Sequence, residues 1–105
     1  MNMKRLPSYS LAAFQQVCGT ANRLKATKTA TTSAAELGFT RAGMAEVVRS
    51  MKPQHFYKSM TSYADHREWQ DVYHVPSPVG VIYLKFKGDV VSEFVILSFK
   101  EKQDG

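Results

Sequence analysis

The 105-residue sequence predicts an α+β fold, with N-terminal helices packed on one face of a C-terminal antiparallel sheet. Two observations carry this expectation. Apolar residues recur at helical spacing as far as Pro53, and from Phe56 onward they alternate with a period of two. The segments that would join the strands, "ADHR", "PSPV" and "GD", are short enough for hairpins and too short for crossovers. Helices first and strands afterwards place the two kinds of element in separate layers.

After Pro7, "SLAAFQQV" sets Leu11, Phe14 and Val17 on one helical face, with Ser8 or Ser10 as the N-cap. "TATTSAAELGF" reads as a second helix stopped by Gly38. "TRAGMAEVVRSMKP" reads as a third, with Met44, Val47, Val48 and Met51 on one side and Pro53 blocking its continuation. Four strands are expected over residues 56–63, 68–75, 80–87 and 91–100, built from aromatic and β-branched residues. In "GVIYLKFKGD", Ile82, Leu84 and Phe86 point one way and Val81, Tyr83, Lys85 and Lys87 the other. The first face is core and the second is wet and basic.

The length suits one domain over residues 1–105. Hydrophobic residues at 44% and charged residues at 22% match folded chains, which excludes a disordered tail. Cys18 is the single cysteine, so an internal disulfide and a cysteine zinc site are both excluded, and a reducing, cytoplasmic setting fits. The first 35 residues hold no acid, as in a transit peptide, but they run without a break into "TSAAELGF". Their loss would remove a large part of the core, so they read as part of the fold. No stretch approaches the roughly 20 apolar residues of a membrane span.

The net charge is +5 and is unevenly placed. Lys4, Arg5, Arg23, Lys25, Lys28, Arg41 and Arg49 face only Glu36 and Glu46 in the first 50 residues, whereas cations and acids balance thereafter. A basic half attracts polyanions or an acidic protein. His55, His66 and His74 stand at irregular intervals with no acid pair at helical spacing, so no metal is expected. No Gly-rich run lies between a strand and a helix, so no nucleotide cofactor is expected either. Cys18 has no assignable base and reads as a packing residue.

RNA recognition requires cations for phosphate, aromatic faces for unstacked bases, and donors or acceptors for base edges. "FYKSMTSYADHREWQDVY" supplies Lys58, Tyr63, Arg67, Gln70 and Tyr73, and the following strands add Tyr83, Lys85 and Lys100. Trp69 and Phe56 in the same stretch read as core, because so small a domain needs large apolar side chains.

"FYKSMTSYADHREWQDVYHV", "VIYLKF" and the ending "VILSFKEK", in that order, together with "AAELGFTRAGMAEVV" in the helical part, resemble the motility quorum-sensing regulator family of bacterial mRNA-cleaving toxins, MqsR. The resemblance covers most of the chain. It implies a fold similar to the RelE and YoeB toxins and a metal-independent endoribonuclease favouring GC-containing sites such as GCU. It implies active-site residues at Lys58, Gln70, Tyr83 and Lys100. It also implies a cognate antitoxin that joins a zinc-binding domain to a helix-turn-helix DNA-binding domain. This sequence departs from the family in "HVPSPVG", in a longer N-terminus and in the tail "QDG". A non-catalytic module that binds RNA or protein through the same basic, aromatic surface is the rival expectation, and RNA cleavage separates the two.

Overall fold

The computed structural model describes residues 1–88 and 93–103. Three α-helices, α1 (Leu11–Cys18), α2 (Lys28–Glu36) and α3 (Arg41–Ser50), precede a short 3-10 turn at Pro53–His55. Four long strands follow: β2 (Phe56–Thr61), β3 (Trp69–Ser77), β4 (Gly80–Gly88) and β5 (Phe94–Glu101). A short strand at the N-terminus, β1 (Met3–Lys4), was not expected from the sequence and completes a sheet of order β1-β2-β3-β4-β5. Every neighbouring pair is antiparallel. The helices pack against one face of this sheet, which is the α+β arrangement expected.

Each helix begins where a hydroxyl can cap it. Ser10, Thr27 and Thr40 stand in extended backbone and accept hydrogen bonds from the amides of Ala13, Ala30 and Gly43, each at 3.1 Å. Of the two serines offered for α1, Ser10 is therefore the cap. The α2 helix closes at Leu37, and Gly38 follows at φ 91°, a left-handed conformation that glycine adopts without steric cost. Gln15 ties α1 to the end of α3 by donating to the carbonyls of Val48 and Met51, both at 2.9 Å.

The core lies between helices and sheet. Phe14 of α1 stacks on Phe86 of β4 with ring centroids 3.7 Å apart, and Phe39 meets Phe99 of β5 edge-on at 5.0 Å. Ile82, Leu84 and Phe86 are fully buried there, as the alternation of β4 requires. Residues of the acid-free N-terminal stretch, Phe14, Cys18, Leu24, Ala30 and Ala34, are equally integral to this core. Cys18 donates its thiol hydrogen to the Phe94 carbonyl at 3.8 Å, and burial raises its pKa, so it packs as expected.

Two further features of the sheet stand out, the first of them against expectation. Trp69 is half-buried outside the main core, with the Lys4 ammonium 4.2 Å from its ring. It stands at the start of β3, where the N-terminal segment lies against it and the Tyr9 phenol donates to its carbonyl. The other is Asp71, which is fully buried on the inner face. Its carboxylate accepts the backbone amides of Ser8 and Tyr9 at 3.0 Å, pinning the chain that leads from β1 into α1.

Both long edges of the sheet are occupied. β1 covers β2, and Asn2 exchanges bonds with Thr61 beyond it. On the far side, Thr27 donates to the Ile96 carbonyl and Ile96 to the Lys25 carbonyl, giving β5 a brief parallel neighbour. The start of the fourth expected strand and the "GD" connection lie partly outside the described residues.

Candidate active site

The helix-free face of the sheet carries the side chains that core packing does not use. Register lines them up in rows across the strands. One row runs Lys58, Val72, Lys85 and Ser98; the next runs His74, Tyr83 and Lys100. Adjacent strands are about 4.8 Å apart, so residues paired in a row are held at touching distance.

A bulge completes the arrangement. In β2, Phe56 pairs with Tyr73 and Lys58 with Val72, leaving Tyr57 as an extra residue between them. A regular strand would send Tyr57 and Lys58 to opposite faces. Here Phe56 points into the core, and Tyr57 and Lys58 both line the same cavity on the open face. A second register shift, between Lys85 and Phe86, leaves Leu97 unpaired in β5 while Lys100 stays opposite Tyr83.

The cavity is open, about 440 Å³, and walled by Tyr57, Lys58, His74, Tyr83 and Lys100, with Glu101, Lys102 and Gln103 at one end. The Lys58 ammonium lies 5.3 Å from the centroid of Tyr57, and that of Lys100 lies 5.4 Å from Tyr83. The imidazole of His74 stacks on Tyr57 at 4.3 Å and tilts against Tyr83 at 5.9 Å. Among the described residues the ion pairs are Lys25–Glu93, Arg67–Asp65 and Lys87–Glu68, so Lys58, Lys85 and Lys100 have no carboxylate partner.

The environment sets the protonation states. Burial, then the positive charges of Lys102 and Lys58, push the His74 pKa below its ordinary value and favour neutral imidazole. Burial, followed by Lys100 and Lys58, lowers the Lys85 ammonium. Burial and Tyr57 raise the Tyr83 phenol, which keeps its proton at neutral pH. The site thus places a proton acceptor, a proton donor and several cations around one concave surface. Among the described residues no group of three or more His, Cys, Asp or Glu side chains could hold a metal ion.

The structure brings together Lys58, Tyr83 and Lys100 and puts Lys85 beside them, but it separates the other expected residues. Gln70 lies on the same face, paired with Met60, one row beyond Lys58 and Val72; it is only 9% exposed and does not reach the cavity. Tyr63 and Arg67 belong to the β2–β3 connection. Tyr63 is exposed there, and Arg67 is paired with Asp65 at 3.2 Å. Tyr73 is a correction. It is 1% exposed on the inner face between Phe56 and Phe86, its pKa pushed up to about 12 by burial, so no RNA base can stack on it.

Sequence reasoning missed Tyr57 and His74. Alternation along "DVYHV" carried the signal for His74, since burying Tyr73 and Val75 sends His74 to the other face with Val72. Tyr57 carried no such signal, because its orientation depends on the bulge.

Fold and site together define a small α+β protein with a cation-rich, aromatic-walled cavity on the helix-free face of an antiparallel sheet. Residues 6–101 match the family described as "Motility quorum-sensing regulator, toxin of MqsA". The chain belongs to that family. It is similar to the mRNA interferase toxin MqsR of Escherichia coli (strain K12), with 39% identity over 99 residues covering 94% of this chain and 98% of that protein. No helix among the described residues is long and apolar enough to cross a membrane.

Proposed function

We propose that this chain, as a single domain over residues 1–105, is the toxin of a toxin–antitoxin pair and an endoribonuclease that cuts mRNA in the cytoplasm. The observation that carries the reading is the cavity itself. Among the described residues Lys58 and Lys100 have no carboxylate partner, and they flank aromatic rings on an open sheet face, in a chain 39% identical to a protein named an mRNA interferase toxin. Attack of a ribose 2′-hydroxyl on the adjacent phosphorus would leave a cyclic phosphate and a 5′-hydroxyl end. The preferred sites contain GC, as in GCU. The antitoxin combines a zinc-binding domain with a helix-turn-helix DNA-binding domain.

Lys58 and Lys100 approach the cavity from opposite sides, across β3 and β4, and stabilise the negative charge that builds on the phosphorane. Tyr83 keeps its proton at neutral pH and donates it to the leaving 5′ oxygen. Lys85 holds a flanking phosphate. Gln70, nearly covered and one row away, positions the strand beneath the site and does not touch the reacting atoms.

The test is cleavage of a purified transcript by the purified protein, without ribosomes and with them, mapped by primer extension. Cuts at GC-containing sites that persist in EDTA are expected, since the donors in the cavity suit phosphate and not a metal ion. RNA that is bound but never cut would instead favour a non-catalytic regulatory module.

A further inference from the structure

The cavity supplies cations and a phenolic donor, but the reaction proposed above also needs a group to take the proton from the 2′-hydroxyl. We infer that His74 is the general base, its imidazole accepting that proton while Lys58 and Lys100 hold the phosphate. This assignment rests on the reading of the chain as an endoribonuclease.

Position is the first support. His74 is the cross-strand partner of Tyr83, which in turn pairs with Lys100, so the imidazole stands in the middle of the cavity wall. Orientation is the second. Tyr57 covers one face of the ring at 4.3 Å and 24°, and Tyr83 leans on it at 5.9 Å and 41°. Rings held by their faces leave their nitrogens at the rim. Among the described residues no hydrogen bond engages either nitrogen of His74, and no side-chain nitrogen without a partner is buried, so the half-buried ring offers a nitrogen to a hydroxyl entering the cavity.

Charge is the third support. The groups facing His74 are Lys58 and Tyr57 from β2, Tyr83 from β4, and Lys100 and Lys102 from β5 and the residues after it, with Glu101 at the cavity end. Burial and the cations favour the neutral ring, the form a base requires. Lys85 is the competing base, since its ammonium is also lowered. A general base with a pKa near the working pH transfers protons most effectively, which favours imidazole over an amine that starts near 10.5.

The step balances without a further reactant. The proton leaves O2′ for the open ring nitrogen of His74 as the O2′–P bond forms. The P–O5′ bond breaks, and the Tyr83 phenol protonates O5′. Solvent then returns the proton from His74 to Tyr83, releasing a 2′,3′-cyclic phosphate and a 5′-hydroxyl.

The experiment is the pH profile of kcat/KM on a short RNA containing one cleavage site, measured for the full chain. For the parent, activity should fall on the acid side through a pKa below the ordinary histidine value of 6.5, and NMR titration of the His74 ring should give the same pKa. His74→Gln, shown to be folded by circular dichroism, should lose about 100-fold or more and lack that acid limb. Lys85→Gln should keep the limb. Free imidazole should restore cleavage to His74→Gly. Parental activity in His74→Gln, an acid limb that survives the substitution, or an NMR pKa about one unit or more from the kinetic one would each overturn the assignment. The NMR comparison needs no variant and decides the matter if the variants fail to fold. A parent protein that binds RNA without cutting it overturns the endoribonuclease reading itself, and this inference with it.

Discussion

Lys85 shows at the scale of one residue how the site trades stability for charge. It is half-buried beside Lys100 and Lys58, and its pKa is lowered. The unfolded chain therefore binds the Lys85 proton more tightly than the folded chain does, so charging this residue opposes folding at every pH below its unfolded value. Lys85→Gln should raise the melting temperature at pH 7 while weakening RNA binding; a lower melting temperature would show that its alkyl stem, and not its charge, matters most. For the reaction itself, Lys58→Ala, Tyr83→Phe and Lys100→Ala should each cut cleavage at least about tenfold, or roughly 1.4 kcal/mol of transition-state stabilisation. Stability should stay within about 0.5 kcal/mol, as for substitutions away from a core. Phe14→Ala is the contrasting core change, expected to cost about 3–5 kcal/mol because its ring is fully buried against Phe86. Parental cleavage by the three folded site variants would refute their assignment.

At the scale of elements, a buried carboxylate pins the N-terminal segment to the sheet where β1 leads into α1. Asp71 accepts the amides of Ser8 and Tyr9, and around it the Ser8 hydroxyl meets that of Ser59 at 2.7 Å and the Tyr9 phenol donates to the Trp69 carbonyl at 2.7 Å. Hydrogen bonds to a charged group contribute about 1.5–3 kcal/mol each, so Asp71→Ala should destabilise the fold by about 3 kcal/mol after relaxation. Hydrogen exchange at Ser8 and Tyr9 should accelerate before that of β4. Unchanged protection of those two amides in the variant would mean that β1 pairing, and not Asp71, fixes the segment.

Across the whole molecule, net charge and functional charge come from different halves of the chain. The basic excess lies in the first 50 residues, yet several of those cations are used within the fold. Arg41 donates to the carbonyls of Ala21 and Leu24, Arg49 to that of Gly19 and Arg23 to that of Gln16. The cavity cations Lys58 and Lys100, and Lys85 beside them, come from the half whose charges balance. Among the described residues none of the three pairs with an acid: Glu68 and Asp65 pair with Lys87 and Arg67, and Asp71 is buried on the other face. RNA affinity should therefore fall with salt, and removing one cavity lysine should reduce the log–log slope by about 0.7. Arg49→Gln should lower stability and leave the slope alone. The reverse pattern in a titration series would move the RNA to the helical side.

The sequence by itself determined the helices, because hydroxyl caps, apolar spacing and the stops at Gly38 and Pro53 all act within a few residues. It also determined the two faces of β4, where strict alternation leaves one arrangement that buries Ile82, Leu84 and Phe86. Its motifs carried Lys58, Tyr83 and Lys100, which the fold gathers at one cavity. Only the tertiary structure decided that Tyr73 faces the core, that Trp69 sits outside it beneath Lys4, and that Tyr57 and His74 stand in the cavity wall. The reason is that β3, unlike β4, mixes apolar and polar side chains on both faces, so its period of two marks which residues share a face more clearly than which face the helices will cover. A bulge, moreover, is set by hydrogen bonds to a neighbouring strand, so the extra residue at Tyr57 leaves no trace in the local pattern.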